Sequence, residues 1–106
     1  MTEPKRTLKE RVKPVVPDLV GYTDNVLFGE IWERKGLSKR DRSLITIAAL
    51  IASGRTEPLP DHILLGQKNG LTQAEIAEVI THLAFYSGWP SAMTAAAVLL
   101  ETTNKA

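Results

Sequence analysis

The sequence predicts an all-α protein, a small bundle of about five helices with a twofold repeat of a helix hairpin. Residues 36–54 and residues 70–88 both open with Gly-Leu and a hydroxyl residue and close with Ser-Gly, at a constant offset of 34 residues. Each copy contains an apolar run of about three helical turns. No segment alternates polar and apolar residues as a half-buried strand does. Together these observations predict paired helices and no sheet.

The start of each repeat carries the signature of a helix N-cap. Ser38 and Thr72 are each followed three residues later by an acid, Asp41 and Glu75 respectively. A cap hydroxyl accepts the hydrogen bond of the amide at the third helical position, which has no partner inside the helix. The two helices predicted from these caps are residues 39–53 and residues 73–87.

The chain ahead of the repeat is predicted to hold a basic arm and one helix. Residues 1–16 form the arm, expected to be partly disordered with a turn or two of helix around Leu8–Val12, and residues 17–106 form one helical domain. Proline suits the first turn of a helix, so the first long helix begins at Pro17. It is predicted to end at Gly36, since glycine accepts the left-handed conformation without strain.

The second helix of each hairpin follows a break in the sequence. A proline-containing connector precedes residues 61–69, which end at Gly70, a good C-terminal residue. Gly88 interrupts the next helical stretch, and the last helix is predicted to begin near Pro90 or Ser91. This helix is rich in alanine, so a partner helix can approach it closely.

Composition excludes several classes of function. The 106 residues suit one domain, and a chain this short is marginally stable alone, so we expect a homo-oligomer. Without cysteine it forms no disulfide, thiol nucleophile or thiolate zinc site. A net charge of +1 argues against nucleic-acid binding, and no apolar run is long enough for a membrane span. We expect a cytoplasmic protein without a cofactor, because no phosphate loop, dinucleotide fingerprint or metal-ligand cluster is present.

Two histidines are candidate acid–base residues. His62 opens a helix beside Asp61, and its imidazole either transfers protons near pH 7 or hydrogen-bonds a carbonyl of the connector. His82 shares one side of a helix with Glu78 and Tyr86, since the three are four residues apart. That spacing fits either a buried acid–base pair with an orienting carboxylate or a boundary face with a weak Glu78–His82 pair.

Three further residues are candidates for substrate binding. Arg42 lies in the first turn of a helix, where a cation opposes the helix dipole, and its guanidinium suits a substrate carboxylate or Glu30. A surface ion pair explains the same arginine equally well. Trp89 lies on a tight connector, where it either walls a pocket or anchors an interface.

Three segments together resemble a known family. They are Gly36-Leu-Ser-Lys-Arg-Asp-Arg-Ser43, His62-x-x-x-Gly66-x-x-x-Gly70-Leu-Thr, and Glu78-Val-Ile-Thr-His-Leu-Ala-Phe-Tyr-Ser-Gly-Trp-Pro90. Over about residues 17–103 the chain resembles the carboxymuconolactone decarboxylase family, and the third segment is the most specific. The resemblance implies an all-α, alkylhydroperoxidase D-like fold and assembly as a trimer or hexamer.

The resemblance implies a decarboxylase more than a peroxidase. The two cysteines of the peroxidase branch fall on Arg55 and Pro58, so thiol peroxidase chemistry is excluded. In the decarboxylase branch the substrate is a carboxylated lactone whose own carbonyl accepts the electron pair, and no cofactor is needed.

A role for each candidate residue follows from this reaction. Arg42 would bind carboxylates, Tyr86 or His82 would donate to the lactone oxygen, and His62 would protonate carbon. The alternative is a non-catalytic, accessory oligomer that binds a small ligand.

Overall fold

The predicted all-α fold is confirmed. The structure, a computed structural model, describes residues 6–104, and this part of the chain contains helices and turns but no strand. The helices are α1 (Leu8–Val12), α2 (Pro17–Tyr22), a π-helix (Thr23–Ile31), α3 (Lys39–Ala52), α4 (Leu59–Lys68), α5 (Gln73–Ser87) and α6 (Trp89–Asn104). The start of the predicted N-terminal arm, before Arg6, and the last two residues lie outside the described residues. None of the helices in residues 6–104 is long and apolar enough to cross a membrane; the cytoplasmic location stays a prediction.

The chain divides into two compact units, an N-terminal unit up to Leu37 and a C-terminal unit from Ser38 onward. The N-terminal unit contains α1, α2 and the π-helix. Within it, Lys9 Nζ lies 2.7 Å from Asp24 Oδ1, so an ion pair joins α1 to the start of the π-helix. The order expected around Leu8–Val12 is present as α1, capped by the Thr7 hydroxyl.

A π-helix continues α2 and replaces the single regular helix that the sequence predicts. The amide of Trp32 donates to the carbonyl of Leu27, five residues earlier, at 2.9 Å. Such wide turns bring Gly29 so close to the backbone that an added Cβ would lie 3.0 Å from the Asp24 carbonyl oxygen. Glycine therefore suits this position because it carries no side chain.

The prediction that this helix ends at Gly36 is wrong. The helix ends at Ile31, and the amide of Arg34 donates to the Ile31 carbonyl at 3.2 Å, which closes a turn there. Gly36 lies beyond that turn, and its φ is not positive. The carbonyl of Ile31, the last helical residue, thus has a hydrogen-bond donor before the chain reaches the glycine.

The predicted caps of both repeats are confirmed. Ser38 Oγ accepts from the Asp41 amide at 3.0 Å, and α3 spans the expected residues to within one. Thr72 and Glu75 form a reciprocal capping box at the start of α5. Both repeats end at glycines with positive φ, 71° at Gly54 and 109° at Gly88, a conformation that favours glycine.

The starts of α4 and α6 lie slightly before the predicted ones. The first helical residue of α4 is Leu59, two residues ahead of the prediction, and it is completely buried. Pro60 therefore occupies the first turn, where its missing N–H removes no helical hydrogen bond. In the same way, Pro90 lies in the first turn of α6, which begins at Trp89.

The core of the C-terminal unit forms between the two hairpins. Helix α3 packs against α4 and α5, and α6 packs against α5 and α4. An added Cβ on Gly66 would lie 3.0 Å from the ends of the Ile47 and Leu71 side chains, so α4 approaches its neighbours closely at this residue. The buried core consists of Ile47, Ile51, Leu59, Ile63, Leu71, Ile76, Ile80, Ala92, Ala95 and Leu99.

An ion pair joins the starts of the two repeats. The Arg40 guanidinium, in the first turn of α3, donates to the Glu75 carboxylate, in the first turn of α5. Glu75 also accepts from the Thr72 amide at 2.9 Å. These donors, the Thr72 amide above all, hold the pKa of Glu75 below its ordinary value.

Glu75→Gln should therefore destabilise the protein at pH 7 and have a smaller effect in acid. A depressed pKa in the folded state adds stability above the ordinary glutamate pKa of about 4.3. That stability is lost as the pH falls through the lowered folded value. Urea midpoints of both proteins at pH 7 and pH 3 measure the effect. Glu101→Gln, an equal charge change at an exposed position on α6, should show less pH dependence; equal behaviour of the two variants would contradict the assignment.

Candidate functional site

His62 lies in the first turns of α4, at the start of the second helix of the first hairpin. Its amide donates to the Pro58 carbonyl at 3.3 Å, and Asp61 precedes it in the acidic first turn of the helix. Both residues are half-buried. His62 thus lies on a helix whose next residue, Ile63, belongs to the core.

The electrostatic surroundings of His62 favour a neutral imidazole. Burial lowers the pKa of His62, and the neighbouring Asp61 carboxylate opposes that effect without cancelling it. Removing an imidazolium from water costs free energy, whereas a nearby negative charge stabilises it. A half-buried titratable group with a shifted pKa is a candidate functional residue, and His62 has both properties.

Arg42 is the fourth residue of α3, as His62 is the fourth residue of α4. Its amide donates to the carbonyl of Ser38, the N-cap residue, at 2.9 Å, and its side chain is half-buried. The next residue, Ser43, is completely buried and accepts a hydrogen bond from Asn69 Nδ2 at 3.0 Å. Arg42 is therefore anchored at the end of α3 that contacts the C-terminal end of α4.

The structure places Arg42 and His62 on the packed helix pair α3 and α4. An added Cβ on Gly66 would lie 3.7 Å from the Cβ of Ser43, the neighbour of Arg42, and His62 precedes Gly66 by four residues. Four residues of helix rise about 6 Å, so the two candidate residues lie about one helical turn apart along the pair.

His82 and Tyr86 lie on α5 and contact each other. Their rings are stacked, with centroids 4.7 Å apart and an angle of 24° between the planes. Both side chains are exposed in the single chain. The predicted spacing of four residues thus brings the two rings together, but on the surface of this subunit.

Trp89 is exposed at the first turn of α6. Its ring meets Phe85 edge to face, with centroids 5.4 Å apart. Sequence reasoning missed Phe85 as a partner, because the break at Gly88 hides the spacing of four residues that joins the two rings. Within this subunit Trp89 lies on an aromatic surface, as an interface anchor would.

Glu30 is an exposed residue of the π-helix in the N-terminal unit. Its role as a partner of Arg42 or of a substrate stays a prediction. Among residues 6–104, no three histidine or carboxylate side chains are grouped so that they could hold a metal ion.

Comparison with known proteins gives a family match over most of the chain. Residues 17–101 match the model of the carboxymuconolactone decarboxylase family. A 4-carboxymuconolactone decarboxylase of Acinetobacter baylyi is 38% identical over 78 residues, which are 74% of this chain and 58% of that enzyme.

A second relative has a different named substrate. A nitrosuccinic acid decarboxylase of Metarhizium robertsii is 36% identical over 77 residues, 73% of this chain and 54% of the fungal protein. The chain thus spans little more than half the length of either curated relative.

Proposed function

The chain belongs to the carboxymuconolactone decarboxylase family, and we propose that it is a cofactor-independent decarboxylase of small carboxylated substrates such as 4-carboxymuconolactone. The observation that carries the proposal is His62, a half-buried imidazole with a lowered pKa beside Asp61, on the same helix pair as Arg42. Because the chain has no cysteine, thiol-based peroxide reduction is not an alternative.

The names of the two relatives support a common class of substrate. Both 4-carboxymuconolactone and nitrosuccinic acid carry two carboxylates and a group that accepts an electron pair, an unsaturated lactone carbonyl in one and a nitro group in the other. When the carbon–carbon bond to the carboxylate breaks, carbon dioxide leaves and the electron pair passes into that group. A proton then adds to carbon. The substrate supplies its own electron sink.

The chain would contribute charge and a proton to this reaction. Arg42 would bind the carboxylate that is retained, because its guanidinium forms two parallel hydrogen bonds with a carboxylate. His62, protonated, would deliver its proton to the carbanionic carbon and be reprotonated from water. A dicarboxylate suits this pair of residues, since one acidic group leaves as carbon dioxide while the retained one binds Arg42.

The remaining candidates keep the roles predicted for them. His82 or Tyr86 would donate a hydrogen bond to the oxygen on which negative charge develops. Glu30 and Trp89 would border the substrate.

Decarboxylation in deuterium oxide tests the proposal. Incubation with 4-carboxymuconolactone should release carbon dioxide and leave one deuterium on a carbon of the dienolate that the loss of carbon dioxide generates. Nitrosuccinic acid is the second substrate to test, with loss of its carboxylate again followed by deuteration. If the protein binds either compound by calorimetry but releases no carbon dioxide, it is instead a small-ligand-binding protein.

Arg42→Lys should weaken binding of a dicarboxylate, because lysine keeps the charge but cannot form the paired hydrogen bonds. We expect KM to rise about tenfold, equivalent to about 1.4 kcal/mol, while kcat changes much less. Initial rates over a range of substrate concentrations separate the two constants. Arg55→Lys, an exposed arginine in the connector before α4, is the matched control. A fall in kcat with KM unchanged would place Arg42 at the reacting carbon instead.

A further inference from the structure

Thr46 is the one polar residue in the apolar centre of α3. The other residues from Leu44 to Ala52 are leucine, isoleucine and alanine, and the Thr46 side chain is half-buried. Thr81 and Thr103 donate to the carbonyl four residues earlier, at 3.0 and 2.8 Å, a common use of a threonine hydroxyl in a helix. The Thr46 hydroxyl bonds to no other part of the chain that the structure describes. It therefore stabilises neither α3 nor the hairpin by a hydrogen bond.

Thr46 borders the same groove as Arg42 and His62. Each of the three directly precedes a buried residue of its own helix. One step back along a helix turns the side chain by about 100° away from the buried side. Ser43, near the start of α3, accepts from Asn69, just after α4, so the two helices run in opposite directions. Such a step then leads to the same outer side on both helices, and the three side chains border the groove between them.

Thr46 lies at nearly the height of His62 along this groove. An added Cβ on Gly66 would lie 3.7 Å from the Ser43 Cβ, so these two residues are level. Thr46 follows Ser43 by three residues, a rise of about 4.5 Å. His62 precedes Gly66 by four residues, a rise of about 6 Å in the same direction. Arg42 lies just before Ser43, so the height of Thr46 falls between those of the arginine and the histidine.

A guanidinium and a hydroxyl one helical turn apart suit a single carboxylate. Arg42 and Thr46 are four residues apart, which places their Cβ atoms about 5–6 Å from each other. A helical side chain leans towards the N-terminus of its helix and covers the turn before its own Cα. The Thr46 side chain thus leans towards the turn that contains Arg42. Each carboxylate oxygen has two lone pairs, so one carboxylate can accept from both residues.

We propose that the Thr46 hydroxyl donates a hydrogen bond to the substrate carboxylate that Arg42 binds. The inference rests on the proposed function, which assigns the retained carboxylate to Arg42. A long arginine side chain alone leaves that carboxylate free to move, whereas a β-branched side chain has few rotamers. Thr46 therefore fixes the carboxylate close to the height of His62, the proposed proton donor. The site selects substrates that keep a carboxylate after carbon dioxide has left.

Calorimetric titration with succinate tests the contact without turnover, since succinate has two carboxylates but no group that accepts the electron pair. Thr46→Val removes the hydroxyl, keeps the branched shape and should weaken binding about tenfold, as loss of a hydrogen bond to a charged group does. Thr46→Ser keeps the hydroxyl and should bind nearly as the unaltered protein does. Thr94→Val, at an exposed position on α6, is the control and should bind unchanged. Unchanged binding by Thr46→Val, equal weakening in Thr46→Ser, or no binding by the unaltered protein would overturn the proposal.

The melting temperature of Thr46→Val separates a binding role from a structural one. A half-buried hydroxyl that bonds to no described residue adds no stability, so valine should leave the melting temperature unchanged or raise it. Weaker binding by a protein that is no less stable is typical of a residue kept for function. A lower melting temperature together with unchanged succinate binding would overturn the proposal.

Kinetics with 4-carboxymuconolactone or nitrosuccinic acid separate this inference from the proposed function. Thr46→Val should raise KM about tenfold and change kcat much less. Combined with Arg42→Lys it should raise KM by less than the product of the two single effects, because both residues bind one carboxylate. If carbon dioxide is released and Thr46→Val keeps the KM of the unaltered protein, the inference fails and the proposed function stands. If succinate binding depends on the hydroxyl but no carbon dioxide is released, the carboxylate site stands and the proposed function fails.

Discussion

His62→Gln should lower kcat for a carboxylated lactone by about 10²–10⁴-fold, the usual contribution of a positioned proton donor. Glutamine is similar in size and still forms hydrogen bonds, but it does not transfer a proton near neutral pH. The half-buried imidazole lies in the first turns of α4, where a polar replacement leaves the core residues unchanged. Steady-state rates, together with the melting temperature and the mass of the assembly, measure the effect.

The pH dependence of the unaltered protein provides a second readout of the same residue. An acid must be protonated to act, and burial lowers the pKa of His62. The value of kcat/KM should therefore rise as the pH falls through a pKa below about 6.5, the ordinary histidine value, and fall at higher pH. Asp61→Asn removes the charge that raises the pKa of His62, so the profile should move to still lower pH.

Lys68→Gln, at an exposed position near the end of α4, is the control for His62→Gln and should retain activity. If His62→Gln remains fully active, or if it dissociates and unfolds, then His62 is structural. The stacked pair of His82 and Tyr86 would then become the better candidate for proton transfer. If kcat/KM instead rises with pH, His62 acts as a base.

Ile47→Ala should cost about 2–5 kcal/mol of unfolding free energy, a large share of the stability of a small domain. Ile47 is completely buried on α3, and the end of its side chain contacts α4 at Gly66. Removing the side chain leaves a cavity between α3 and α4, the helices that carry Arg42 and His62. Chemical denaturation at neutral pH measures the loss.

Ile47→Val is the matched control, because it removes a single methylene and should cost about 0.5–1.5 kcal/mol. Ile45→Ala, at a half-exposed position on the same helix, should cost much less because it opens no cavity; an equal loss there would contradict the role of burial. Activity measured on the remaining folded protein should fall more in the alanine variant than in the valine variant, since α3 and α4 together position the candidate residues.

The sequence was sufficient for features that depend on local chemistry. The caps at Ser38 and Thr72 were predictable because a hydroxyl three residues before an acid satisfies helical amides wherever it occurs. The glycine at residue 88 was predictable as a break because a positive φ favours that residue type. Likewise, the spacing of His82 and Tyr86 was sufficient to predict that their rings lie on one side of a helix.

Features that depend on tertiary surroundings were not predictable in this way. The π-helix at Thr23–Ile31 cannot be recognised from the spacing of apolar residues, so one regular α-helix was expected. The exposure of Tyr86 and Trp89 was also hidden, because an aromatic residue at helical spacing looks the same in a core and at an interface. The offset between Arg42 and His62 along the helices depends on which residues of α3 and α4 lie side by side, which sequence spacing within one helix does not specify.

The hairpin repeat also has a consequence for how fast the chain reaches its native state. Helix α3 packs against its neighbour in the chain, α4, and α5 packs against α6, so each hairpin closes only a short loop before its apolar contacts form. Proteins dominated by contacts between nearby residues fold in microseconds to milliseconds. The ion pair of Arg40 with Glu75 joins residues 35 positions apart. We expect it to form late in folding, when the two hairpins pack against each other. Loss of this pair should therefore accelerate unfolding more than it slows folding.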